Sequence, residues 1–155
     1  MSRSLTVVSG LSGAGKTVAL RTLEDLGYYC VDNLPADLLP AFVDSVGSGD
    51  ADQNLAVGID VRNHHADLGS IGQWLAAVGE RGWQHRLVFF DAADATLVKR
   101  YSDTRRRHPL SQLGLALPDA IALERQVLRP VRAIADHAFD TTALNVHQLR
   151  KLVLT

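Results

Sequence analysis

The chain has 155 residues, 46% of them hydrophobic and 21% charged, a composition that fits one folded domain with an ordinary core. Its 16 Lys and Arg residues nearly balance 17 Asp and Glu residues, which excludes a strong overall positive field for nonspecific nucleic-acid binding. One cysteine, Cys30, excludes an intrachain disulfide and favours a cytoplasmic location. Neither a membrane span nor a signal peptide is expected, because no long apolar run is present.

Short apolar segments alternate with segments in which apolar residues return every three or four positions. In chain order this pattern predicts strands over residues 5–9, 28–31, 54–61, 86–91 and 138–140. It predicts helices over residues 16–26, 36–46, 68–81, 95–104, 119–135 and 146–154. Such alternation predicts an α/β fold in which a doubly wound parallel sheet of about five strands carries helices on both faces. We expect residues 1–155 to form a single domain.

A glycine-rich segment lies between the first predicted strand and the first predicted helix. It matches the pattern G-x-x-x-x-G-K-[ST] and consists of Gly10, Leu11, Ser12, Gly13, Ala14, Gly15, Lys16 and Thr17. In this setting the glycines allow a tight turn that gathers backbone N–H groups at the positive end of a helix, where a polyphosphate binds. The segment therefore predicts a P-loop that binds ATP or GTP.

Two side chains at the end of this segment have predicted roles. Lys16 would bridge the β- and γ-phosphates, and the Thr17 hydroxyl would ligate Mg²⁺. A dinucleotide-binding fingerprint is a poorer alternative, because it needs no Lys-Thr pair, although Asp32 stands near the position of the acidic residue that such a fingerprint requires.

A P-loop site also needs a carboxylate on the magnesium side, at the carboxyl end of a neighbouring strand. Asp60 and Asp91 both follow apolar runs, and Asp60 is the favoured candidate for metal binding and catalysis. A turn or helix cap is the alternative role for both residues, and the pattern favours this role more strongly for Asp91 than for Asp60. Asp32 precedes a predicted helix, so an N-cap role is favoured over a role as an acceptor contact or base.

Positive charge is concentrated after the fourth predicted helix, at Arg105, Arg106 and Arg107. Guanidinium groups bind phosphate oxygens in pairs, which favours a lid over the nucleotide; RNA contact and a solvated or intersubunit charge cluster are the alternatives. A helical spacing also places Arg125, Arg129 and Arg132 on one face of the fifth predicted helix, where an anion surface and a plain solvated face are equally compatible with the pattern.

Several segments together resemble the bacterial RapZ family. These are the glycine-rich segment, Tyr29-Cys30-Val31-Asp32-Asn33-Leu34-Pro35, Asp60-Val61-Arg62-Asn63, Phe90-Asp91-Ala92 and the stretch from Arg100 to Leu110 that contains Thr-Arg-Arg-Arg-His-Pro-Leu. The resemblance extends over essentially all 155 residues. It implies an ATP- or GTP-binding P-loop domain similar to small-molecule kinases, with Asp60 in the segment that corresponds to Walker B.

The resemblance has further implications for the longer protein. Family members continue into a domain that senses an amino-sugar phosphate and contributes RNA binding, and some act as RNase adapters that present a small RNA to an endonuclease. We therefore expect this chain to be the N-terminal half of such an architecture, without the C-terminal domain, and to form homo-oligomers. A regulatory domain with slow NTP hydrolysis is the first hypothesis; a metabolite kinase and an RNA-binding module are the alternatives.

Overall fold

The computed structural model describes residues 3–46, 53–59, 70–104 and 116–154. In chain order the elements are β1 (Arg3–Gly10), α1 (Lys16–Asp25), β2 (Tyr29–Val31), a 3-10 turn (Ala36–Leu38), α2 (Leu39–Val46), β3 (Gln53–Gly58), α3 (Ile71–Glu80), β4 (Gln84–Asp91), α4 (Asp94–Thr104), α5 (Leu117–Ile134), β5 (His137–Asp140) and α6 (Val146–Leu154). The predicted elements are thus confirmed within a few residues. The predicted helix over 36–46 divides into the 3-10 turn and α2.

The five strands form one sheet in the order β2-β3-β1-β4-β5. Every pairing is parallel, and the central strand β1 places Val7 opposite Val57 of β3 on one side and Leu87 of β4 on the other. Helices connect the strands, because parallel neighbours need a crossover rather than a tight turn. The predicted doubly wound parallel sheet is confirmed.

Helices cover both faces of the sheet. Consecutive residues of β1 from Leu5 to Gly10 are all buried, and successive side chains of a strand point to opposite faces. Among the helices, α1 packs on α6, while α3 packs on both α2 and α5. Fully buried side chains such as Leu87 and Phe89 each contribute about 1.5–3 kcal/mol from removal of apolar surface.

The carboxyl ends of β1, β3 and β4 meet at one edge of the sheet. There β1 ends at Gly10, β3 ends at Gly58 and β4 ends at Asp91. Ligands of open parallel sheets bind at this edge, so the segment that leaves β1 is positioned where binding residues are expected.

The two tryptophans belong to the packing of the domain rather than to this edge. Trp83 is buried, and the partly buried Trp74 packs against the same core. None of the helices in the described part of the chain has the length and apolar character that a membrane crossing requires.

Candidate functional site

The glycine-rich loop (residues 10–17) turns directly from β1 into α1. The amide of Leu11 donates to Phe90 O at the end of β4, and the amide of Ala14 donates to Leu11 O. Gly13 has φ +89° and Gly15 has φ +122°, conformations that favour glycine over residues with a β-carbon. The loop therefore has a compact, defined backbone that depends on its glycines.

Several amides of the glycine-rich loop are open to an outside acceptor. Within the described ranges, the N–H groups of Gly13, Gly15 and Thr17 donate to no protein oxygen. Gly13 and Thr17 are exposed, and the first turn of α1 carries no acidic residue. The amino end of a helix carries a partial positive charge, so this arrangement suits a negatively charged group.

Lys16, the first residue of α1, forms an ion pair beside the loop. Its ammonium nitrogen lies 2.8 Å from Oδ1 of Asp32, and only 10% of the Lys16 side chain is exposed. Asp32 follows β2, and its carboxylate lies against Gly58 at the end of β3. The pairing of β2 with β3 therefore brings an acid from the second strand to the lysine of the glycine-rich loop.

The favoured N-cap role of Asp32 was wrong. The 3-10 turn that follows is preceded by Pro35 and has no side-chain cap, because Pro35 separates the turn from the end of β2. Asp32 instead accepts hydrogen bonds from Lys16 Nζ and from the amide of Asn33.

A buried carboxylate holds the other side of the glycine-rich loop. Glu124 of α5 is 0% exposed; its Oε1 accepts a 2.9 Å hydrogen bond from the Ser12 amide, and its Oε2 accepts a 2.6 Å bond from Ser12 Oγ. A buried carboxylate is costly unless it is hydrogen-bonded, and these two bonds offset part of that cost. Glu124 thus fixes the loop to α5.

The segment between β5 and α6 supports the loop carbonyls. Thr141 Oγ1 donates to Ala14 O, and Arg100 of α4 donates to Gly13 O at 2.9 Å and to Thr141 O at 2.6 Å. Hydrogen bonds from the Thr142 side chain and amide lower the pKa of Asp140, so this turn keeps a charged carboxylate. The contacts of Arg100 and Thr141 thus satisfy the Gly13 and Ala14 carbonyls.

The last helix closes over the start of α1. A β-carbon on Gly15 would collide with the side chain of Leu149 in α6. Only 5% of Leu149 is exposed, and it belongs to the main core. The positive φ of Gly15 thus favours glycine, and any larger residue there would also force the Leu149 side chain to shift.

Asp91, the weaker of the two carboxylates considered for magnesium, is engaged by arginines. Arg125 Nη1 lies 2.9 Å from Oδ1 and Arg132 Nε lies 3.4 Å from Oδ2. Asp91 Oδ1 also accepts the amide of Ala92, which agrees with the predicted turn cap. Partial burial acts to lower the pKa of Arg125, but hydrogen bonds and charge attraction from Asp94 and Asp91 outweigh it and raise that pKa above its ordinary value.

The remaining predicted site residues lie outside the described residues. These are Asp60, the favoured magnesium and catalytic carboxylate, and Arg105, Arg106 and Arg107, the predicted lid. Their roles stay predictions. In the described ranges, no group of three His, Cys, Asp or Glu side chains is arranged to hold a metal ion.

Sequence reasoning missed Glu124, Arg100, Thr141 and Leu149 as partners of the glycine-rich loop. A signal was available for Glu124, because it lies between Ile121 and Leu128 on the buried face of α5. An acid at a core position of an amphipathic helix indicates a buried polar partner.

The amino-acid sequence of this chain is similar to those of several known proteins. Residues 3–155 match the family described as RapZ-like N-terminal domain. A protein of Xanthomonas campestris pv. campestris (strain B100), named a nucleotide-binding protein, is 62% identical over 151 residues, which are 96% of this chain and 53% of that protein. A nucleotide-binding protein of Stenotrophomonas maltophilia (strain K279a) is 56% identical over 155 residues, covering 98% and 52%. The chain spans about half the length of these curated relatives.

Solved structures with low sequence identity share the fold. A shikimate kinase from Bacteroides thetaiotaomicron has a TM-score of 0.63 at 14% identity and covers 97% of this chain and 94% of its own. A gluconokinase from Sinorhizobium meliloti 1021 has a TM-score of 0.62 at 16% identity, covering 97% and 89%. The domain therefore has the fold of P-loop kinases.

Proposed function

This chain belongs to the RapZ-like N-terminal domain family, and on that basis we propose that it binds ATP or GTP, as the Mg²⁺ complex, on the glycine-rich loop. Its curated relatives carry the name nucleotide-binding protein, which supports the proposal. The structural observation that carries it is the set of open amides at Gly13, Gly15 and Thr17. They would donate to the phosphate oxygens at the amino end of α1.

Lys16 would supply the compact positive charge of the site. Its ammonium group would lie between the β- and γ-phosphates and exchange part of its contact with Asp32 for contact with phosphate. Because Asp32 is 42% exposed, water already screens this ion pair, and a polyphosphate with several negative charges competes well for the lysine.

Thr17 and Asp60 would hold the magnesium ion. The Thr17 side chain is exposed at the start of α1, and a hydroxyl with a carboxylate gives the oxygen ligands that Mg²⁺ prefers. When bound, Mg²⁺ neutralises charge on the phosphate oxygens. Arg105, Arg106 and Arg107 would add lid contacts to the same phosphates.

We further propose that the bound nucleotide is hydrolysed slowly and serves a regulatory role. In the longer protein, this role would belong to an RNase adapter linked to small-RNA control of amino-sugar metabolism, with RNA and an endonuclease as partners. Family membership supports this extension, as does the balanced charge, which suits a domain that does not bind RNA by itself. Self-association in the cytoplasm is part of the same proposal.

The contact between Lys16 and Asp32 favours a second candidate, a metabolite kinase. A carboxylate beside the phosphate-binding lysine is suitably placed to accept the proton of an acceptor hydroxyl. Both candidates share the nucleotide site and differ in the fate of the γ-phosphate. A kinase transfers it to an added small acceptor, whereas a regulatory NTPase releases free phosphate without one.

Calorimetric titration with ATP, GTP and ADP, each with and without Mg²⁺, tests the nucleotide site. Lys16→Ala should weaken triphosphate binding at least about tenfold, or about 1.4 kcal/mol, because it removes the charge on the phosphates. Lys151→Ala, which removes an exposed lysine from α6, is the matched control and should bind as the parent does. Circular dichroism should show both variants folded. Equal affinity of the parent and the Lys16→Ala protein would remove the site assignment.

A further inference from the structure

Thr141, the first residue after β5, contacts the backbone of the glycine-rich loop through a buried hydroxyl. Thr141 and Ala14 are both 0% exposed, and Thr141 Oγ1 lies 2.5 Å from the carbonyl oxygen of Ala14. A hydroxyl has one proton to donate. The Ala14 carbonyl receives it, because the other acceptor, the carbonyl oxygen of Asp91, lies farther away, at 3.2 Å.

Thr141 is itself fixed in place by its neighbours. Its amide donates to Asp91 O at 2.8 Å, at the end of β4. Arg100 of α4 donates to Thr141 Oγ1 at 3.2 Å and to Thr141 O at 2.6 Å. The same guanidinium group also donates to Gly13 O at 2.9 Å. The position of the Thr141 hydroxyl is therefore set by both the sheet and α4.

The hydrogen bond from Thr141 also sets the direction of an amide in the loop. The carbonyl oxygen of Ala14 and the N–H of Gly15 belong to one planar peptide unit, and in a trans peptide these two groups point in opposite directions. In the described ranges, the Gly15 N–H has no protein acceptor. With its carbonyl directed to Thr141, the unit therefore presents this N–H on its other side.

We propose that Thr141 is a positioning residue of the phosphate site, and that its hydrogen bond to Ala14 keeps the Gly15 N–H directed at a phosphate oxygen. This inference rests on the proposed nucleotide site and adds to it a residue that acts through the loop backbone. The chemical group that it serves is the polyphosphate of the nucleotide.

Loss of the hydroxyl would disturb the loop for a specific reason. The buried Ala14 carbonyl would have no donor in place of Thr141, and an unsatisfied buried carbonyl is costly. Because Gly15 has no β-carbon, its backbone can rotate more freely than that of another residue. Rotation of the peptide unit would direct the carbonyl oxygen of Ala14, with its partial negative charge, toward the phosphate.

Thr141→Val tests the proposal, because it replaces the hydroxyl with a methyl group of similar size. Calorimetric titration uses the Mg²⁺ complex of ATP or GTP, whichever the parent protein binds more tightly. Thr141→Val should weaken binding about five- to tenfold, and Thr141→Ser, which keeps the hydroxyl, should bind within about twofold of the parent. Thr141→Cys, with a weaker donor, should also weaken binding, and it takes the place of Thr141→Val if that variant does not fold.

Thr22→Val is the matched control for the loss of a buried hydroxyl. Thr22 is 1% exposed, and its Oγ1 donates to Val18 O at 2.8 Å within α1. This bond is comparable to that of Thr141 but does not involve the glycine-rich loop. Thr22→Val should therefore leave the triphosphate affinity unchanged.

NMR of the Gly15 amide separates positioning from a loss of stability. In the parent and in the Thr141→Ser protein, saturating nucleotide should move the Gly15 amide proton downfield, because this proton then forms a hydrogen bond to phosphate. In the saturated Thr141→Val protein the movement should be smaller. A variant that is only less stable would show the full movement once it is saturated.

Four results would each overturn the role of Thr141. These are parental affinity in the Thr141→Val protein, equal weakening by Thr22→Val, no recovery of affinity with Thr141→Ser, and a full downfield movement of Gly15 in the saturated Thr141→Val protein. A parent protein that binds neither ATP nor GTP would overturn the nucleotide site itself, and the role of Thr141 with it. The two failures are thus distinguished by the titration of the parent.

Discussion

The ammonium nitrogen of Lys16 lies 2.8 Å from a carboxylate oxygen of Asp32, so the lysine of the glycine-rich loop is already paired within the protein. The two residues belong to different βα units, and their contact depends on the adjacency of β2, β3 and β1 in the sheet. Any phosphate that uses Lys16 must compete with this carboxylate.

Asp32→Asn should therefore tighten triphosphate binding about two- to fivefold. The substitution removes a competing negative charge from Lys16, and an ion pair whose carboxylate is 42% exposed is worth about 1 kcal/mol or less. Asp37→Asn, which neutralises an exposed acid in the nearby 3-10 turn, is the matched control for the loss of one charge. Calorimetry measures both affinities. Weaker binding in the Asp32→Asn protein would show that the carboxylate assists the site rather than competes with phosphate.

Glu124→Gln should destabilise the domain and weaken nucleotide binding. The Gln side chain keeps one acceptor oxygen for the Ser12 amide, while its NH2 group can only donate to Ser12 Oγ, so both charge-assisted hydrogen bonds of the carboxylate are lost. We expect the free energy of unfolding to fall by about 1–3 kcal/mol, measured by urea denaturation. Glu24→Gln, at an exposed position of α1, should change it by less than about 0.5 kcal/mol. A Glu124→Gln protein as stable as the parent would contradict the inferred role of this clamp.

Cys30 should react slowly with iodoacetamide at neutral pH. Burial raises the pKa of its thiol, and the negative charge of Glu24 raises it further, so the reactive thiolate forms only at higher pH than in an ordinary cysteine. The alkylation rate, followed by mass spectrometry, should therefore rise at higher pH in the folded protein than in the urea-unfolded protein. Glu24→Gln should shift the folded profile toward lower pH. Superimposable folded and unfolded profiles would contradict the predicted shift.

The elements of the fold could be predicted because periodicity is a local property of the sequence. Residues such as Val7 and Leu87 lie in apolar runs that identify buried strands without any reference to their partners. The strand order was not predicted, since it depends on which strands pair over long separations. The RapZ resemblance was confirmed, because it used several separate segments rather than the glycine-rich motif alone.

Prediction of the candidate site had the same limit. The glycine-rich loop could be located by its motif and by its place between β1 and α1. Its supports could not, since Glu124 and Thr141 reach Ser12 and Ala14 across more than a hundred residues. Asp32 was assigned to the wrong partner for a related reason: a nearby helix start is visible in the sequence, whereas a lysine on another βα unit is not.

The contact of Leu149 with Gly15 also bears on how the domain is made. The glycine-rich loop is synthesised well before its final neighbours, because Thr141 and Leu149 follow it by more than a hundred residues in the sequence. During synthesis on the ribosome, the glycine-rich loop therefore cannot reach its final packing until α6 has been made. A chain terminated before Thr141 could still form β1 to β4, but its glycine-rich loop would lack the contacts with Thr141 and Leu149.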